Sequence, residues 1–117
     1  MNMRRRGDCG EAQAVDYLEK KGCTVLARNH CVRGGEVDII FADAETTVFC
    51  EVKLRSQQRF GTGTEAVDEK KRKCICRAAL DWAYKHNCLD SPMRFDVIEI
   101  YGGTITHYKN AFEYIES

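Results

Sequence analysis

Across its 117 residues the chain has one Pro, three scattered His, no Cys-x-x-Cys pair and no net charge. Each scarcity excludes something. Without a second Pro or a low-complexity tract there is no rigid linker to divide the chain, and this length fits one domain, 1–117. No apolar run approaches the roughly 20 residues that cross a bilayer, so no membrane association is expected. The start, Met1-Asn2-Met3-Arg4-Arg5-Arg6, is basic but leads into no apolar segment. It is therefore not read as a secretory signal, and a cytoplasmic location is expected.

Cysteine, by contrast, is plentiful. Cys9, Cys23, Cys31, Cys50, Cys74, Cys76 and Cys88 are odd in number, against a complete disulfide framework, and lack the spacing of a four-ligand zinc site. Small buried hydrophobes are the better reading. The hydrophobic share of 44% against 31% charged is that of a folded domain.

Zero net charge conceals a gradient. From Lys53 to Arg77 there are eight basic residues against Glu65, Asp68 and Glu69. From Asp90 to Ser117 there are five acids against Arg94 and Lys109. A local excess of this kind can steer a polyanion, although an ordinary solvated face has the same composition.

Helical spacing of Ala12, Val15 and Leu18 predicts a helix from Asp8 to Lys21, stopped by Gly22. Thr24 to Arg28 reads as a short strand, with a turn at Arg33-Gly34-Gly35. Glu36 to Ala42 and Thr46 to Leu54 read as an antiparallel hairpin about Asp43-Ala44-Glu45. A loop from Arg55 to Thr64 leads to a helix from about Asp68 to His86. Strands from Met93 to Ile100 and from Thr104 to Tyr108 complete the order α-β-β-β-α-β-β. The fold expected is α/β, a mixed central sheet flanked by helices, with the second helix as a crossover.

The hairpin strands are apolar on both faces, as central strands are, yet carry Asp38, Glu51 and Lys53. Glu51 and Lys53 share a face by the period of two, with Asp38 on the partner strand. Two carboxylates in a partly buried place cost several kcal/mol unless neutralised, and Mg²⁺ accepts one or two carboxylates with water and phosphate oxygens. Glu11 lies four and seven residues before Val15 and Leu18, on their stripe. Lys71 lies four, seven and eleven before Ile75, Ala78 and Trp82. Blander readings exist for each. Glu11 could complete a helix cap with Asp8, Asp38 could cap the Gly34-Gly35 turn, Lys71 could snorkel, and Glu51 with Lys53 could be a plain ion pair.

An acid on one strand followed by Glu51-x-Lys53 on the next resembles the PD-(D/E)XK nuclease superfamily. The resemblance extends to the bacterial YraN family, itself similar to archaeal Holliday-junction resolvases. It is carried by Gly7-x-x-Gly10-Glu11-x-x-Ala14, Leu26-Ala27-Arg28-Asn29, Gly35-Glu36-Val37-Asp38, Val48 through Arg55, Phe60-Gly61, Glu65-Ala66-Val67 with Lys71, Arg94 through Ile98, and His107 with Asn110-Ala111-Phe112. Val37 stands where the superfamily motif has proline. The resemblance implies a restriction-endonuclease-like α/β/α core and a metal-dependent endonuclease acting on structured DNA. It implies Glu11, Asp38, Glu51 and Lys53 as catalytic residues. Asp38, Glu51, the Val52 carbonyl and Glu11 would hold Mg²⁺ or Mn²⁺, and Arg55, Arg59 and Lys71 would contact the nucleic acid. A junction substrate would favour a homodimer. The alternatives are a nucleic-acid-binding module that keeps the fold without cutting, and an interaction protein whose carboxylates only pair with Lys53 and Lys71.

Overall fold

The computed structural model describes residues 3–55 and 67–116, with side chains from residue 10 onward. Helix α1 (Met3–Lys20) leads into strands β1 (Thr24–Val32), β2 (Gly35–Asp43) and β3 (Thr46–Arg55). Helix α2 (Glu69–Lys85), β4 (Met93–Tyr101) and β5 (Thr104–Tyr108) follow. The five strands form one sheet in the order β1-β2-β3-β4-β5. Neighbours are antiparallel except β3 and β4, which run parallel with α2 as the crossover. The α/β fold with a mixed central sheet and flanking helices is thus the one expected. No helix among the described residues is long and apolar enough to cross a membrane.

Two apolar layers hold the sheet. Ala14 and Leu18 of α1 pack with Ile39, Phe41, Val48, Cys50, Ile98 and Ile100 on one face. On the other, Ile75, Ala78, Ala79 and Trp82 of α2 pack with Ile40, Phe49, Phe95 and Val97. Alternate residues of β3 and β4 serve the two layers, which is why these strands read as continuous apolar runs. The C-terminal segment closes the α2 layer: Phe112 stacks on Phe95 at 5.1 Å, and the Ala111 N–H bonds the Phe95 carbonyl.

Several boundaries differ from those predicted, most by a single residue. Helix α1 begins at Met3 rather than Asp8, so Asp8 and Glu11 lie inside it and the capping role for Glu11 falls away. Strand β1 runs on to Val32 because it pairs with β2 beyond the left-handed Asn29 (φ 53°), through His30 opposite Val37 and Cys31 opposite Glu36. As an edge strand it tolerates the polar residues that hid it. Gly35 is the first residue of β2 rather than part of the turn. A Cβ there would lie 2.6 Å from the Cys74 carbonyl oxygen, so only glycine lets the strand start so close to α2.

The cysteines divide more widely than expected: Cys50 and Cys76 are buried, Cys23, Cys74 and Cys88 half-buried, and Cys31 exposed. These six, the cysteines whose side chains are described, are free thiols.

Candidate functional site

Strand β3 lies between β2 and β4, and its middle, Val48 to Glu51, is buried. Glu51 faces α2 with its register partner Val97, and is only 4% exposed. A carboxylate so placed needs compensation. Lys53, two residues on, brings Nζ to 3.4 Å from Glu51 Oε2. Lys71, in the first turn of α2, brings Nζ to 3.6 Å from the same oxygen and 3.4 Å from Glu36 Oε1. Its position is set by the helix start, where Asp68 caps α2 by accepting the Lys71 N–H at 2.9 Å.

Asp38 enters through a break in the sheet. The β2–β3 ladder runs from Asp43–Thr46 back to Ile39–Cys50 and ends there. Val37 and Ile40 both pack in the α2 layer, an odd separation, so the alternation of β2 slips by one residue between them. At that slip the Val52 N–H donates to Asp38 Oδ2 at 2.8 Å instead of to a backbone carbonyl. Asp38 is thereby anchored beside Glu51. It is not used as a cap for the Gly34-Gly35 turn.

The electrostatics follow from this crowding. Burial, and then the charge of Asp38, push Glu51 up to about 8 against the pull of Lys71 and Lys53; a hydrogen bond with Asp38 adds to the rise. Glu51 therefore keeps its proton at neutral pH more readily than an ordinary carboxyl. Burial opposes the charge on Lys71, but Glu51, Glu36 and Asp38 outweigh it and raise its pKa. Glu51 Oε1 is buried and meets no hydrogen-bond donor among the described residues.

Of the residues singled out by sequence, Asp38, Glu51, Lys53 and Lys71 come together. Glu11 is buried on α1, over the opposite layer, with the Arg28 guanidinium 3.7 Å from its Oε1. Among the described residues no group of three or more His, Cys, Asp or Glu is arranged to hold a metal ion. Arg55 donates through Nε to Glu99 at 2.8 Å, with both side chains mostly covered, so it is engaged within the sheet. Arg59, with Phe60 and Gly61, lies outside the described residues. Glu36, Glu99 and Arg28 were not singled out. Each is the partner of a residue that was, which only the fold reveals.

A third buried acid was not singled out as a site residue. Asp96 is fully buried and accepts from Arg94 through two nitrogens, from His107 Nε2 at 2.7 Å and from the Asn110 N–H at 2.9 Å. Burial opposes its charge, yet these donors hold its pKa below the usual value. His107 Nδ1 meets the Tyr17 hydroxyl at 3.0 Å, and Arg94 reaches Asp43 at 3.1 Å. With every partner in place, this network joins α1, the end of β2, β4, β5 and the chain after it. The clue in the sequence was the same as for Glu51, an acid inside an apolar strand. A pocket of about 530 Å³ near Tyr84, Asn87 and Leu89 is lined by neither acidic cluster.

The family model described as "Uncharacterised protein family UPF0102" matches residues 10–100. A UPF0102 protein of Clostridioides difficile (strain 630) is 44% identical over 114 residues, covering 96% of this chain and 100% of that protein. One from Geobacter metallireducens is 45% identical over 111 residues, covering 92% and 91%. One from Pseudomonas putida is 37% identical over 115 residues, covering 93% and 94%. With that span matched end to end at these identities, the chain belongs to the UPF0102 family.

Proposed function

We propose that this chain is a nucleic-acid-binding module, built on the restriction-endonuclease-like architecture, that takes a phosphodiester backbone where α2 meets the end of β3. The observation that carries this reading is the convergence of Lys53 and Lys71 on one oxygen of Glu51, each with 29% of its side chain still exposed. Two ammonium groups held side by side at a surface can reach adjacent phosphate oxygens. The following helix adds Lys70, Arg72, Lys73 and Arg77 to the same end of the chain's charge gradient. Such contacts give affinity that falls with salt and depends little on sequence. The acids already have partners from within, Glu51 two lysines at one oxygen and Asp38 a backbone N–H. Glu11 is paired with Arg28. That arrangement favours binding without turnover.

Anisotropy titrations of labelled single-stranded, duplex and four-way-junction DNA at low salt, in EDTA, test the proposal. Binding that weakens linearly in log salt is expected; its absence for every probe would refute the reading.

A second reading, metal-dependent hydrolysis of structured DNA, is favoured by Glu51 Oε1, a buried oxygen that meets no donor among the described residues, beside a second carboxylate. The residues fit a hard cation: Asp38, Glu51 and the Val52 carbonyl would hold Mg²⁺ or Mn²⁺, with water and phosphate completing the shell. The ion would polarise a phosphoryl oxygen and acidify a bound water. Lys53 would orient that water and balance charge gathering on the phosphorus oxygens. Glu51→Gln and Lys53→Ala should each abolish any Mn²⁺-dependent cleavage while far-UV circular dichroism stays unchanged; cleavage surviving both changes contradicts this reading.

A further inference from the structure

Lys71 is placed unlike an ordinary structural lysine. Its ammonium lies between two acids on different segments, 3.6 Å from buried Glu51 and 3.4 Å from Glu36, whose side chain is 54% exposed. These are ion contacts at the long end of hydrogen-bond range, so they constrain the head group loosely. The base of the side chain, in contrast, is fixed, because the Lys71 N–H is tied to the Asp68 cap. A fixed root with a loosely held charge on a four-carbon stem is a swinging arm. Glu36 marks its outward path. Lys53 occupies the same Glu51 oxygen from a rigid sheet position, while the other oxygen meets no donor among the described residues.

A second cation arriving at Asp38 and Glu51 would face both ammonium groups at close range. Repulsion between like charges a few ångströms apart in a half-buried site is worth kilocalories, so one ammonium must withdraw. Lys71 has the freedom and the exit.

We infer that Lys71, braced by Glu36, is a displaceable counter-ion of Glu51 that gives way to a divalent cation and turns to a backbone phosphate, making cation and nucleic acid bind cooperatively. This rests on the nucleic-acid reading and on the metal-binding part of the second one. Each ligand then aids the other by the same factor, since a coupling between binding sites is reciprocal. Removing Lys71 removes both the competitor for Glu51 and the link to phosphate.

The test uses the whole chain with Ca²⁺ as cation and labelled four-way-junction DNA as polyanion, by calorimetry and anisotropy. In the wild type, Ca²⁺ should tighten DNA binding on the order of five- to tenfold. Lys71→Met should bind Ca²⁺ more tightly by a similar factor without DNA, and lose the Ca²⁺ effect on DNA affinity. Glu36→Gln should shift Ca²⁺ affinity in the wild type but not in the Lys71→Met background. The inference is overturned if Lys71→Met binds Ca²⁺ no more tightly than the wild type, or if Ca²⁺ leaves wild-type DNA affinity unchanged. Either result, with DNA still bound in EDTA, leaves the nucleic-acid reading standing. Failure of the wild type to bind DNA under any condition removes both.

Discussion

Glu51 should make this fold lose stability as pH rises through the neutral range. The unfolded chain releases the Glu51 proton near its ordinary 4.5, whereas the folded chain keeps it to about 8. Between those values the native state binds more protons than the unfolded state, so stability declines with a slope of up to about 1.4 kcal/mol per pH unit. From about pH 5.5 to about pH 8 the loss is roughly 3 kcal/mol, a large part of the 5–15 kcal/mol that typically holds a domain folded. Glu51→Gln has nearly the same shape and no proton to lose, so it should not share the decline. The two proteins should be close in stability at the acid end, with the variant ahead by roughly 3 kcal/mol at the alkaline end. The window avoids the other shifted groups. Asp96, held below 3.8, contributes stability that is lost only as pH falls through its lowered value. Lys71 and Arg94, both raised by neighbouring acids, lose theirs only at higher pH. The raised Cys23, Cys50 and Cys76 act only once the unfolded thiols ionise near 9.0. Urea unfolding in EDTA reads the effect as a fall in wild-type midpoint on the order of 2 M across the window. Wild-type and Glu51→Gln midpoints moving in parallel would refute the argument.

Other consequences are as specific. Gly35→Ala must push β2 away from the Cys74 carbonyl, now 2.6 Å from the position of the new Cβ, at a cost of about 1–3 kcal/mol in thermal unfolding. An unchanged Tm would show that this approach is not tight. Asp96→Asn leaves Arg94 and His107 facing a neutral amide in a fully buried place and should cost about 3 kcal/mol in urea unfolding; a cost under about 1 kcal/mol would contradict the role given to that network. Phe112→Ala removes the ring stacked on Phe95 and should destabilise by about 3 kcal/mol. An unchanged urea midpoint would mean that the C-terminal segment does not close the α2 layer.

The fold was largely legible because its strongest signals are local. The hairpin strands are bounded by turn residues, with Ala44 at φ 54° in the tight turn, and α2 by a side-chain cap at Asp68. Strand β1 was cut short because Asn29 and His30 look unlike a strand, and an edge strand need not look like one. The meeting of Asp38, Glu51, Lys53 and Lys71 was legible for a different reason: charges inside apolar periodicities must be facing one another. What could not be read is where a periodicity breaks. The slip in β2 that sends the Val52 N–H to Asp38 leaves no local mark. Nor do partners brought from distant segments, such as Glu36 to Lys71, Glu99 to Arg55 and Arg28 to Glu11. Arg55, singled out as a nucleic-acid contact, is such a case: its partner Glu99 comes into view only with the fold.

The measurement that bears most directly on the proposed role is the salt dependence of DNA affinity, by anisotropy in EDTA, for the wild type and for Lys53→Met combined with Lys71→Met. Each phosphate contact contributes about 0.9 to the slope of log affinity against log salt on duplex DNA. Binding by the wild type is expected, with a slope about 2 smaller for the double variant if each lysine takes one phosphate. Equal slopes and affinities for the two proteins, or no binding by the wild type at low salt, would contradict the claim that this face receives a nucleic-acid backbone.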